Sequence, residues 1–153
     1  MIKYIAILSS LVLMLGFAHD ALATEKVEDP AKIEVYGGAL SYHFDTDKDL
    51  NNVNPLVIAT YDDWATGYFY NSYKENSFMV GRNFYLERPD RSPVVIGVIL
   101  GAVTGYNKNQ VPMCFTDGFC PMVMPYIQWH YDNWKPTIIF GGAFVSAAVG
   151  YEF

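Results

Sequence analysis

The last nine residues of the chain alternate without a break. In 145–153, Val145, Ala147, Val149, Tyr151 and Phe153 are apolar, whereas Ser146, Ala148, Gly150 and Glu152 are small or polar. A period of two places these sets on opposite faces of a strand. A large apolar face backed by a small or polar one is the pattern of a strand in a transmembrane barrel. A sheet in lipid must also close on itself, because an open edge would leave backbone N–H and C=O groups without partners.

Upstream of this strand the chain is a train of short apolar and aromatic runs separated by turn residues. Eight runs can be drawn, at 32–45, 54–62, 64–73, 77–87, 93–106, 121–131, 135–141 and 143–153. Eight is an even count and a common small size for such barrels. The spacing predicts an all-β, eight-stranded antiparallel transmembrane β-barrel. Residues 45–54, 71–77 and 106–120 make long polar connections, while Asp62-Asp63 and 131–134 make short turns. Short turns belong on the periplasmic side and long loops outside, a register that fits most connections but leaves 87–92 long for a turn and Gly141-Gly142 short for a loop. In that register Tyr61, Trp64, Trp129, Tyr131, Trp134, Tyr151 and Phe153 form an inner aromatic girdle, and Tyr42, Phe44, Tyr70, Tyr73 and Tyr106 an outer one. The alternative is a soluble all-β sandwich with an aromatic core. Composition weighs against it, since 52% of residues are hydrophobic and only 17% charged. With 10 basic against 16 acidic residues, the chain has no basic footprint for nucleic acid.

The N-terminus reads as a targeting segment. Lys3 precedes an apolar run over 5–17, and Ala21-Leu22-Ala23 is a small-x-small cleavage pattern. Residues 1–23 are therefore expected to be a signal peptide that is removed, leaving 24–153 as the barrel domain of an exported protein. The alternative is an uncleaved N-terminal anchor. Export favours a disulfide between the two cysteines, Cys114 and Cys120, which sit close together in a loop-like stretch. No cluster of Cys and His marks a metal site.

The interior admits two readings. Gly97, Gly101 and Gly105 share one face of the fifth run, and Ser146, Ala148 and Gly150 one face of the last. Small inward residues leave either a hollow apolar lumen or room for close backbone packing around a filled core. Arg82 shares a face with Phe78, Val80 and Phe84, which the alternation does not explain. At the outer rim the up-and-down order brings together the ends of the first and third runs. These carry His43 and the pair Asn71-Ser72. A histidine beside a serine hydroxyl can act as general base and then general acid in acyl transfer. A lone histidine at a strand end is also an ordinary surface residue. His130 falls at the opposite end, as a girdle residue.

With these residues in place, the chain resembles the lipid A palmitoyltransferase family (PagP-type outer-membrane enzymes) over roughly 36–153. The stretch from Leu40 through Phe44 is similar to the family segment bearing the catalytic histidine, which maps onto His43. Gly67-Tyr68-Phe69-Tyr70-Asn71-Ser72-Tyr73-Lys74 is similar to the segment leading to the family's Asp-Ser pair, with Ser72 as the serine. The resemblance implies transfer of a palmitoyl-type chain from a glycerophospholipid donor to a lipid A acceptor in the bacterial outer membrane, by a monomer with no cofactor. It implies an acyl-chain pocket near Gly81, Asn83, Gly97 and Gly101, and lateral openings where Pro55 and Pro125 interrupt the ladder. The catalytic set would be His43, Asn71 and Ser72, with Asn71 orienting the imidazole. Three departures stand out: Asn71 replaces an aspartate, 24–31 is too short for the family's amphipathic helix, and the Cys114–Cys120 pair has no family counterpart. The other reading is a non-enzymatic small barrel that acts through its surface loops.

Overall fold

The computed structural model describes residues 32–45, 49–86 and 93–153. The cleavage site after Ala23 lies outside the described residues. Eight strands follow one another: β1 (Ile33–His43), β2 (Val53–Tyr61), β3 (Trp64–Tyr70), β4 (Asn76–Tyr85), β5 (Val94–Thr104), β6 (Phe119–Trp129), β7 (Trp134–Phe140) and β8 (Phe144–Glu152). Each pairs antiparallel with its neighbour, and β1 pairs with β8 to close the barrel. The predicted strand count, order and closure all match.

Two tight turns sit at the rim where the barrel's first and last strands begin and end, the terminal rim. Tyr61 pairs with Trp64 across Asp62-Asp63, and Tyr131 with Trp134 across Asp132-Asn133. Asp62 and Asp132 take positive φ (54° and 51°), a conformation that Asp tolerates better than most residues. The opposite rim, here the loop rim, carries His43 and the β1–β2, β3–β4, β5–β6 and β7–β8 connections, the last of them only three residues long.

The outer wall is apolar. Val35, Leu40, Val57, Phe78, Val80 and Val149 are all exposed there. In water so continuous an apolar surface would drive association, whereas in lipid it is the required surface. The barrel is therefore a membrane-spanning one. Trp64, Trp129, Tyr131, Trp134 and Phe153 are exposed around the terminal rim, and Tyr151 packs edge-on against both Trp134 and Phe153. Arg82 now has an account. It pairs across the ladder with Trp64, at girdle height, and its guanidinium reaches Asp63 at 3.1 Å. The ion pair keeps the charge at the interface, which a long side chain on a lipid-facing position can reach.

The lumen is filled over its middle. Tyr36, Ile58, Met79, Val95, Ile99, Val103, Met122, Tyr126 and Ile139 are buried and form one cluster. This corrects the expected acyl-chain pocket. A Cβ on Gly97 would lie 2.5 Å from the Tyr126 hydroxyl, so that glycine accommodates the tyrosine. A Cβ on Gly81 would meet Ile99 Cγ2 at 2.7 Å, and one on Gly101 the Val80 carbonyl at 2.1 Å. The glycines make room for neighbouring side chains and backbone, not for a ligand. Asn83 lines a cavity of about 30 Å³ between Tyr36, Tyr85, Tyr126 and Gln128, space for about two waters. Nearer the loop rim the packing loosens: Leu56, Phe69 and Met124 sit in the inward register yet are only partly buried.

Gly97→Val should therefore overpack the lumen against Tyr126 and cost about 1–3 kcal/mol. Urea unfolding of the refolded barrel in lipid vesicles, followed by tryptophan fluorescence, measures this shift.

Candidate functional site

His43 reaches the lumen through an irregularity in β1. Gly38 pairs with Ala148 and Leu40 with Ala147, so Ala39 is an extra residue relative to β8. Before this bulge the inward positions are Glu34, Tyr36 and Gly38; after it they are Ser41 and His43. Strand parity reverses with each inserted residue. Without Ala39, the parity of Tyr36 would turn His43 toward lipid. Instead its side chain is buried, with the ring 5.6 Å from that of Phe144.

Ser72 is presented by the β3–β4 turn, and Asn71 builds that turn. Asn71 Oδ1 accepts from the backbone N–H groups of Tyr73 (2.8 Å) and Glu75 (3.0 Å). Its Nδ2 donates to Ser77 Oγ (3.0 Å) and to the Gly105 carbonyl (2.8 Å). The expectation that Asn71 orients the imidazole is therefore corrected: its amide is committed to the turn. An aspartate here would set an acceptor oxygen against the Gly105 carbonyl, which can only accept, and lose that donation, which accounts for the amide. Gly105 suits its own place, because its φ is +84° and a Cβ would lie 2.5 Å from both Asn76 O and Ser77 Oγ.

The imidazole partner is Asn52, which the sequence reading did not single out. His43 Nδ1 lies 2.7 Å from Asn52 Oδ1, and His43 Nε2 lies 2.6 Å from Ser72 Oγ. The amide oxygen can only accept, so Nδ1 carries the proton. The Nε2 lone pair is then free to accept from the serine hydroxyl. Backbone bonds hold the three segments together: Ser41 N donates to Asn52 O (3.0 Å), Asn51 N to Ser72 O (2.9 Å) and Phe44 N to Ala143 O (2.9 Å). Nothing in the polar run Asn51-Asn52 marks one amide over the other. Only the ladder places Asn52 beside β1. The order Asn–His–Ser has the same arrangement of contacts as the triads of acyl-transfer enzymes, some of which orient the histidine with an asparagine.

The two prolines expected at lateral openings lie where a ladder is interrupted, at Pro55, or ends, at Pro125. The β1–β2 register jumps from Gly38↔Leu56 to Leu40↔Val53, leaving Pro55 outside it. The β6–β7 ladder holds three pairs, from Tyr126↔Ile139 to Gln128↔Thr137. Above it Pro125 has no partner on β7, which ends at Phe140. Pro121 and Pro125 lie within the continuous β5–β6 ladder, so their donor-less nitrogens must face the β7 side.

A disulfide joins Cys114, in the β5–β6 loop, to Cys120, the second residue of β6. That loop leans on the turn bearing Ser72, through Tyr73 Oη donating to Gln110 O (3.2 Å) and an edge-on contact of Tyr73 with Tyr106. Burial, and then the neighbouring Tyr73, raises the Tyr106 phenol above its usual range.

The terminal rim holds a second polar cluster. Lys135, only 3% exposed, donates to Glu152 (2.7 Å) and to His130 Nδ1 (2.9 Å), and lies 3.9 Å from Glu34. His130 Nε2–H donates to Gln128 Oε1 at 2.8 Å, and Gln128 Nε2 to Tyr36 Oη at 2.7 Å. His130 is thus tied to the lumen network, and the girdle role expected for it is corrected. Among the described residues no buried side-chain nitrogen or oxygen lacks a partner, and no His, Cys, Asp and Glu group has metal-binding geometry.

No family model matches the chain, and no curated protein does. Among solved structures it is similar to the solution NMR structure of de novo designed TMB2.3. The TM-score is 0.53 and the identity 17%, over 84% of this chain and 98% of that one. Likeness at that identity extends to the fold alone.

Two predictions follow from this geometry. Asn71→Asp should destabilise the barrel by about 1–3 kcal/mol through the lost donation to the Gly105 carbonyl, measurable by urea unfolding. Burial, and then Lys135, lowers the His130 pKa below its ordinary value. Its contribution to stability is then complete above about pH 6.5 and declines as the pH falls toward the lowered native value. Unfolding midpoints between pH 8 and 5 should show this decline in the native protein and a flatter profile in His130→Gln.

Proposed function

We propose that this barrel is a bacterial outer-membrane acyltransferase. It would move a palmitoyl-type chain from a glycerophospholipid to lipid A at the loop rim. The observation that carries this reading is the 2.6 Å contact of His43 Nε2 with Ser72 Oγ, on an imidazole whose other nitrogen is held by Asn52. The resemblance of the segments around His43 and Ser72 to the palmitoyltransferase family supports it. So does the ladder gap above Tyr126, where a lipid could reach the barrel wall from the side. The partly buried Leu56, Phe69 and Met124 offer apolar surface below the rim. Because Ile99 fills the space over Gly81, a donor chain would be held in this upper zone or along the gap, not in a deep well.

The second reading is a non-enzymatic barrel acting through its loops, and the filled middle of the lumen favours it. One experiment separates the two. Refolded protein is incubated in mixed micelles with labelled phosphatidylcholine and lipid A, and the lipids are resolved by thin-layer chromatography and mass spectrometry. The acyltransferase reading predicts acylated lipid A and lysophospholipid. It also predicts a fall of about 10²–10⁴-fold in His43→Ala, the usual contribution of a general base. Neither transfer nor hydrolysis from correctly folded protein would support the loop-acting barrel instead.

A further inference from the structure

We infer that the reaction passes through an acyl ester on Ser72, and that Asn52 is the positioning residue that sets His43 up to generate it. This rests on the acyl-transfer reading above and goes beyond it by assigning the covalent step and its order. A histidine could equally activate the acceptor hydroxyl directly, with no protein ester formed. The observed geometry favours the covalent route for two reasons. First, Nε2 is already engaged by Ser72 Oγ, so the hydroxyl nearest the base belongs to the protein. Second, the acceptance of Nδ1–H by Asn52 Oδ1 fixes the tautomer in which Nε2 has a free lone pair. Ser72 is itself held by the Asn51 N–H on its carbonyl and by the Asn71-built turn, so its position does not depend on substrate.

The steps balance as follows. Ser72 Oγ attacks the ester carbonyl of the donor while its proton moves to His43 Nε2. The tetrahedral intermediate collapses, the bond from the carbonyl carbon to the glycerol oxygen breaks, and the proton passes from Nε2 to that oxygen. Lysophospholipid leaves, and the chain remains on Ser72. An acceptor hydroxyl, or water, then gives its proton to Nε2 and attacks the acyl-serine carbonyl. The bond to Oγ breaks and the proton returns to Oγ. Throughout the imidazolium phases Asn52 holds the ring in place without contributing charge.

A fluorophosphonate probe tests the covalent step without any transfer assay, because it reports only an activated serine. Tryptic mass spectrometry should find one adduct per chain, on Ser72, absent from Ser72→Ala and formed about 10²-fold more slowly in His43→Ala. Asn52 is exposed in a loop, so Asn52→Ala and Asn52→Asp should fold, as heat-modifiable gel mobility will show. Asn52→Ala should slow labelling at least tenfold. Asn52→Asp should keep labelling, with the rising limb of its pH profile moved to higher pH. A carboxylate beside Nδ1 favours the protonated imidazole, a displacement that a merely structural role would not produce. Labelling of Ser72 in a protein that transfers no acyl chain would support the nucleophile and overturn the transfer reading. Wild-type transfer rates in Ser72→Ala would overturn the acyl ester and leave the transfer reading standing. An adduct elsewhere, or none, would overturn the assignment of Ser72, and an unmoved pH profile in Asn52→Asp that of Asn52.

Discussion

The pairing of β1 with β8 is the constraint on which the rest of this molecule depends. Its outer surface is apolar, and an apolar medium supplies no partner for a free N–H or C=O. Every strand must therefore find two neighbours, and after seven sequential pairings the eighth returns the last strand to the first. Closure at eight strands fixes a narrow lumen, which inward side chains are long enough to fill. Filling in turn explains the small residues. Gly97 and Gly150 lie where the rings of Tyr126 and Tyr36 need their space. The same narrowness concentrates polar groups, so Lys135 is buried only because Glu152, Glu34 and His130 all face it.

Closure also makes parity consequential. One residue more or less in a strand exchanges its lumen and lipid faces. Ala39 is such a residue. It lets β1 present Tyr36 to the core at one end and His43 to the loop rim at the other, with Leu40 and Tyr42 toward lipid between them. The candidate site therefore exists because the ladder is imperfect at one position. The neighbouring gap at Pro55 belongs to the same irregularity, since β2 must also adjust where β1 carries its extra residue.

This explains what could be read from the sequence. Alternation is a property of every residue in a strand, so strand number, order and the terminal-rim girdle were legible in tyrosines, tryptophans and turns, whereas Tyr106, expected in the outer girdle, packs against the core with Tyr73 beside it. His43 and Ser72 were legible because each stands at the end of a recognisable run, and the up-and-down order brings those ends together. The bulge was not legible, for alanine in a mixed stretch fits either face. Nor was the division of labour between the asparagines. Asn71 adjoins Ser72 in sequence and yet serves the turn, while Asn52 lies nine residues from His43 and is brought to it by β1–β2 pairing. The lumen question turned on side-chain direction: small residues on one strand say nothing of the ring that crosses from the next.

The central claim is that a bulged, closed barrel holds His43 inside its rim in one tautomer, between an amide oxygen and a serine hydroxyl. Nitrogen-15 NMR of histidine-labelled protein in micelles tests it most directly. The account predicts a neutral His43 protonated at Nδ1, with the pyridine-type signal on Nε2 and a proportion of the other tautomer that rises in Asn52→Ala. A His43 protonated chiefly at Nε2, or one exchanging freely between tautomers in the unaltered protein, would contradict it.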